Sequence, residues 1–130
     1  MDYLEFARNA VEAKALAMPT YSNFHVGAAL LTEDDKIYKG CNIETSSYSL
    51  TMCAERTAIF KAISEGERKF KAIAIASDEK NFCPPCGACR QVILDLCGDI
   101  DIVMINQKEE LLVKKASELL PLAFGNDFLK

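Results

Sequence analysis

Residues 71–77 constrain the fold more than any other stretch, because the run Ala72-Ile73-Ala74-Ile75-Ala76 is apolar at every position. Successive side chains of a strand point to opposite faces, so a strand with no polar face is covered on both sides and belongs in the middle of a sheet. A second, nearly continuous apolar segment follows at residues 100–105, after a stretch at residues 87–97 that reads as a helix. Strand, helix and strand in alternation predict a sheet with helices layered on it.

The residues before this unit extend the same layered design. Leu4, Phe6, Ala7, Ala10, Val11, Ala15 and Leu16 recur at spacings of three and four among charged residues, the pattern of an amphipathic helix over residues 2–18 that Pro19 ends. A turn at residues 21–24 leads into a short strand at residues 25–31, and Asp34-Asp35 reads as the hairpin connection to a strand at residues 37–43. Residues 44–52, rich in Ser and Thr, follow neither period, whereas residues 54–63 read as a helix closed by Glu65-Gly66. Leu111-Leu112-Val113 is a candidate edge strand, and the apolar run at residues 119–125 is expected to pack against something. With no linker, repeat or low-complexity segment, residues 1–130 are expected to form one domain.

Composition removes several classes of function. Fifteen basic residues stand against 19 acidic ones, for a net charge of -4, and no run of Lys or Arg is long enough to track a phosphate backbone. Polymeric nucleic acid is therefore not an expected partner. No apolar stretch is long enough to span a bilayer, so neither is a membrane. Six cysteines could suggest a disulfide scaffold, but no basic region followed by an apolar run opens the sequence. The reducing cytoplasm is the expected compartment, and there a CxxC serves metal binding or catalysis more often than a structural bridge.

The chemistry is carried by Cys53-Ala54-Glu55-Arg56 and Pro85-Cys86-Gly87-Ala88-Cys89-Arg90. Cys86 and Cys89 lie three apart where a loop enters a helix, so both sulfurs can converge on one ion, with backbone N–H groups at the helix start stabilising thiolates. Cys53 occupies the corresponding place at the start of the preceding helix, and a sheet carrying both helices on one face would bring the two starts together. Within an ideal helix residues two apart point to opposite sides, so Cys53 and Glu55 can share a site only in the first turn. Taken alone, Glu55 is also a favourable acid at a helix N-terminus. A structural zinc site closes with four protein ligands and a catalytic one keeps a position for water. Cys83, three residues before Cys86, could be a fourth ligand, which would make a structural zinc-binding module. A thiol redox protein using Cys86 and Cys89 is a further alternative.

The sequence from Asn42-Ile43-Glu44 through Thr51-Met52-Cys53-Ala54-Glu55-Arg56, with Cys86-Gly87-Ala88-Cys89-Arg90-Gln91 and the closing Leu119-Leu120-Pro121 and Phe124, resembles the small homotetrameric cytidine deaminases. The resemblance implies a three-layer α/β/α sandwich around a mixed sheet of about five strands. It implies that Cys53, Cys86 and Cys89 hold Zn²⁺ with water in the fourth position, while Glu55 moves protons between water, N3 of the cytosine ring and the departing amine. The expected reaction converts cytidine and deoxycytidine to uridine and deoxyuridine with release of ammonia, in pyrimidine salvage. Ala54 would hold the base carbonyl through its backbone N–H, Asn42 and Glu44 would bind the ribose, and Phe24 would lie against the pyrimidine. Phe124 would enter the site of a neighbouring subunit in a homotetramer. Three thiolates leave a net negative charge around zinc, and Arg56 matches the residue placed to offset it. The chain departs from the family pattern at Asn23, Thr45-Ser46 and Pro84, none of which is a proposed ligand or the acid. His25, the only histidine, is expected to be structural, and Cys41 and Cys97 to be small core residues.

Overall fold

The computed structural model describes residues 1–125. Helix α1, Tyr3–Lys14, is capped by Asp2, whose carboxylate accepts from the Leu4 N–H at 3.3 Å. It stops four residues short of the expected end. Pro19 disfavours helical geometry at Met18, and Met18 instead pairs with the 42–44 segment, its N–H donating to Asn42 O at 2.9 Å and its carbonyl accepting from Glu44 N at 3.0 Å. Strands β1, Val26–Thr32, and β2, Ile37–Cys41, form the predicted hairpin. Helix α2 is Ala54–Ser64 and ends at Gly66, whose φ of 102° lets the Gly66 and Glu67 N–H groups close on Ile63 O and Ala62 O. Strand β3, Phe70–Ser77, leads through an irregular loop to helix α3, Gly87–Val92, which widens into a π-helical turn, Ile93–Cys97. Strands β4, Asp101–Ile105, and β5, Leu111–Lys115, and a short helix α4, Ala116–Leu119, complete the described chain.

The sheet has the order β2-β1-β3-β4-β5 and is mixed, with β3 and β4 parallel and every other pair antiparallel. The wholly apolar strand β3 sits in its centre. Its two faces differ in size. Ala72, Ala74 and Ala76 join Ala29, Leu31 and Val103 in packing against Phe6, Ala7 and Ala10 of α1. Ile73 and Ile75 point the other way, into a cluster with Ile102, Met104, Ala54, Ala58 and Ile59 beneath α2 and with Ile93 beyond α3. Helices on both faces make the three-layer α/β/α sandwich expected from the sequence.

Two strand glycines bring the layers close. A Cβ added to Gly27 would lie 2.1 Å from Ala10 O in α1, and one added to Gly40 would lie 2.5 Å from Ala58 N and 2.6 Å from Ala54 O in α2. Both helix backbones therefore touch the sheet where no side chain intervenes. At Gly40 this contact fixes the start of α2, and with it Cys53.

Candidate active site

Cys53 is the N-cap of α2 and Cys86 the N-cap of α3. Both helices pack on the isoleucine face of the sheet, so their starts meet, as the sequence spacing requires. The Cys53 and Cys86 sulfurs are 3.8 Å apart, and those of Cys53, Cys86 and Cys89 all lie within 4.8 Å of one another. A tetrahedral zinc with Zn–S bonds of about 2.3 Å separates its sulfurs by about 3.8 Å. The group therefore fits zinc with little side-chain movement. Among the described residues it contains three cysteines and not Cys83, whose half-buried thiol faces Pro84 O at 3.8 Å. The four-cysteine alternative thus lacks its fourth sulfur.

The electrostatics favour a thiolate at Cys53 beside a protonated Cys89, whose pKa is raised by its hydrogen bond to Cys53 and by burial. Arg56 Nη2 donates to Cys53 Sγ at 3.2 Å, and the Cys89 N–H points at Cys86 Sγ at 3.5 Å. The Cys53 thiol is drawn down to about 5, mainly because the Cys89 thiol donates to it and secondarily because Arg56 does. Arg56 Nε is buried without a hydrogen-bond partner. Glu55, in the first turn of α2, is 4% exposed, and its carboxyl is pushed up to about 7 by burial, with the Cys53 charge adding to the rise. It lines the same cleft as Cys53 and Cys86. The first-turn exception allowed from the sequence is therefore the geometry observed.

That cleft, about 240 Å³, is walled by Phe24, Val26, Asn42, Glu44, Cys83 and Pro84. A more open depression lined by Tyr21, Ser22 and Tyr48 adjoins it across Glu44 and Thr51. Asn42 and Glu44 both reach the cleft, yet each also holds the chain. The Asn42 carboxamide accepts from Val26 N at 2.9 Å and donates to Phe24 O at 2.8 Å, adding a rung to the end of the β1–β2 ladder and fixing Phe24. Glu44 Oε1 accepts from the Tyr21 and Ser22 N–H groups, both at 2.9 Å, while the Ser22 hydroxyl donates to Oε2, and these donors hold its pKa below the usual range. The segment that followed no period has its ends closed by one pair of hydrogen bonds, Ile43 N to Met52 O and Met52 N to Ile43 O, both 3.0 Å, which delivers the chain to Cys53.

Ala54 is fully buried at the first position of α2, within the cleft wall. Phe124 is 57% exposed and lies outside that wall, its carbonyl held by Gln91 Nε2 at 2.7 Å. His25 lies outside the sulfur group, with Nδ1 2.8 Å from Asp78 Oδ2. Val26, Thr51 and Met52 also line the cleft; Thr51 and Met52 stand in the stretch that carries the resemblance, but no role follows for them from the sequence, and Val26 reads only as part of a strand.

Three cysteine sulfurs with a buried acid beside them, on an α/β/α sandwich, fit the pattern of a zinc-binding domain that offers three protein ligands rather than four. Residues 2–105 match the model of the cytidine and deoxycytidylate deaminase zinc-binding region. The chain is 48% identical over 130 residues to a cytidine deaminase of Sporosarcina psychrophila, covering 99% of this chain and 96% of that one. It is 49% identical over 125 residues to a cytidine deaminase of Halalkalibacterium halodurans, covering 95% of each. The crystal structure of cytidine deaminase from Burkholderia pseudomallei superposes with a TM-score of 0.92 at 43% identity, over 95% of this chain and 100% of that one. The chain belongs to the zinc-dependent cytidine deaminase family.

Proposed function

We propose that this chain catalyses hydrolytic deamination of cytidine and deoxycytidine to uridine and deoxyuridine with release of ammonia, as a step of pyrimidine salvage in the cytoplasm. The observation that carries the reading is the placement of Glu55, buried in the wall of the cleft that also exposes Cys53 and Cys86. Zinc held by Cys53, Cys86 and Cys89 supplies Lewis acidity for making a nucleophile from water near neutral pH. Glu55, with its carboxyl raised to about 7, is matched to taking a proton from water and giving it to N3 of the cytosine ring. Once hydroxide has added to C4, the same carboxylate carries the C4 hydroxyl proton to the amine, and the C4–N bond breaks to release ammonia as the C4 carbonyl forms.

The other residues orient and balance. The Ala54 N–H, at the first helical position, has no acceptor within its helix and is free to hold the base carbonyl. Phe24, fixed by Asn42, lies against the pyrimidine. Asn42 and Glu44 retain hydrogen-bonding capacity for the sugar hydroxyls beyond the backbone groups they already meet. Arg56 donates to the Cys53 sulfur and offsets the charge of three thiolates. Leu16, Tyr48, Leu50, Leu122 and Phe124 are more than half exposed, which supports a homotetramer in which Phe124 completes a neighbour's site. Among the described residues no helix is long and apolar enough to cross a membrane.

Ammonia release from cytidine, deoxycytidine, deoxycytidylate and adenosine, with and without chelator, tests the reading. The first two should turn over, lose turnover with chelator and regain it with zinc. Zinc-loaded protein inactive on every nucleoside would overturn the assignment. Sedimentation of the native chain should give a tetramer, and a monomer at assay concentration would overturn the assembly.

A further inference from the structure

The two helix starts reach the zinc group by different routes, and the one carrying Cys86 and Cys89 has few anchors of its own. The chain just before Cys86 reads Pro84-Pro85, and neither proline has an amide hydrogen. It can be held through carbonyl oxygens but not through backbone donors. The buried Pro85 supplies such a hold, its carbonyl accepting from Arg90 Nε at 2.8 Å. The other arm of the same guanidinium, Nη1, donates to Leu119 O at 3.0 Å, at the end of α4. The next residue, Gln91, donates from Nε2 to Phe124 O at 2.7 Å. Two consecutive side chains, directly after Cys89, therefore grip the C-terminal segment at both ends.

Between these grips the backbone is in an unfavourable state. Leu122 has φ of 54°, in the left-handed region that a bulky side chain avoids, and its side chain is wholly exposed. A solvated side chain offers nothing to offset that conformation. The turn must be imposed by its surroundings, and Arg90 and Gln91 are placed to impose it.

We propose that Arg90 is a positioning residue that ties the Cys86 loop to the C-terminal segment, so that the hold on zinc and the placement of Phe124 are set together. This rests on the reading of Cys53, Cys86 and Cys89 as the zinc group. A planar guanidinium presents Nε and Nη1 in a fixed fork and can meet two carbonyls in one geometry, whereas a lysine ammonium lacks that fork. Gln91 extends the grip towards Phe124 but does not touch the metal loop.

The test uses full-length, zinc-loaded R90A, R90K and Q91A, reading zinc transfer to excess chelator and amide hydrogen exchange across residues 119–125. R90A and R90K should each release zinc about tenfold or more faster, the scale on which residues supporting a metal site alter its affinity, and exchange faster across the segment. Q91A should exchange faster near Phe124 while releasing zinc within about twofold of the native rate. Failure of R90K to rescue separates the fork from the charge, and R90K decides the matter if R90A does not fold. A merely structural Arg90 would lower the melting temperature and leave both rates native. Native zinc release or native exchange in folded R90K would overturn the proposal. Neither readout involves a nucleoside, so a chain without deaminase activity would refute the proposed function and leave this tie standing.

Discussion

The two helix starts that supply the cysteines are held in place by different means. Helix α2 is eleven residues long, lays Ala54, Ala58 and Ala62 on the sheet, and touches strand β2 backbone to backbone at Gly40. Helix α3 has six residues before it widens into a π turn, and a Cβ at Gly87, its first residue, would meet nothing within 4 Å. Its loop receives a side-chain hydrogen bond from Arg90, at Pro85 O. Cys53 is thus positioned by backbone packing at Gly40, and the loop before Cys86 by a polar contact from Arg90 together with the burial of Pro85 and Cys89. Close packing tolerates added atoms badly, whereas a polar tie fails when one partner is removed.

Changes of shape should therefore damage the α2 half and spare the α3 half. Gly40→Ala forces a methyl group against Ala58 N and Ala54 O, and overpacking of this kind costs about 1–3 kcal/mol or more where backbone must move. Thermal unfolding should show that loss, together with weaker zinc retention; a native melting temperature would contradict the packing account. Arg56→Ala comes next. Removing the donor to Cys53 Sγ should lower turnover about tenfold, the scale of one lost charge-assisted hydrogen bond, with zinc largely retained in metal analysis. Native turnover with a native pH profile would remove Arg56 from the charge balance. Gly87→Ala is the counterpart of the Gly40 change and should shift stability by less than about 0.5 kcal/mol. A large loss there would mean that the α3 half is also set by packing.

A separate effect concerns pH and the far end of the α3 arm. Burial pushes the Cys97 thiol up to about 12, so the folded chain keeps this proton where an unfolded thiol, at about 8.5, has begun to lose it. Stability from this group is complete below about pH 8.5 and falls as pH rises towards the folded value, by at most about 1.4 kcal/mol per pH unit. Denaturant midpoints at pH 8 and pH 10 should therefore fall less in Cys97→Ala than in the native chain. Equal slopes would place the alkaline sensitivity elsewhere.

The contrast between the halves also explains what could be seen in the sequence. Strand β3, the turn ending α2 at Gly66 and the placement of Cys53, Cys86 and Cys89 at helix starts all follow from local period and spacing, and the structure agrees. The end of α1 does not, because Met18 leaves the helix to pair with residues far along the chain. Residues 44–52 follow no period because a short 3-10 turn at Tyr48–Leu50, the hydrogen bond from Thr45 N–H to Thr51 Oγ1 and the Ile43–Met52 pair order them instead of a regular helix or strand. Asn42 and Glu44 do reach the cleft, but their grip on the backbone around Phe24 and Ser22 is a contact between distant segments that spacing does not reveal. Gly40 did carry a signal: a glycine inside a strand often marks a close backbone approach. Arg90 stands in the stretch that carries the resemblance, but its contacts at residues 85 and 119 cannot be read from spacing.

Comparison of the native chain with Glu55→Gln, both zinc-loaded and both assayed for metal content and for ammonia release from cytidine, bears most directly on the proposed mechanism. The account predicts one zinc per chain in each protein, turnover by the native chain, and a loss of at least about a hundredfold in the variant, the lower range for removing a general acid–base group. Equal turnover by both proteins would show that Glu55 moves no proton in the reaction and would contradict the account at its centre.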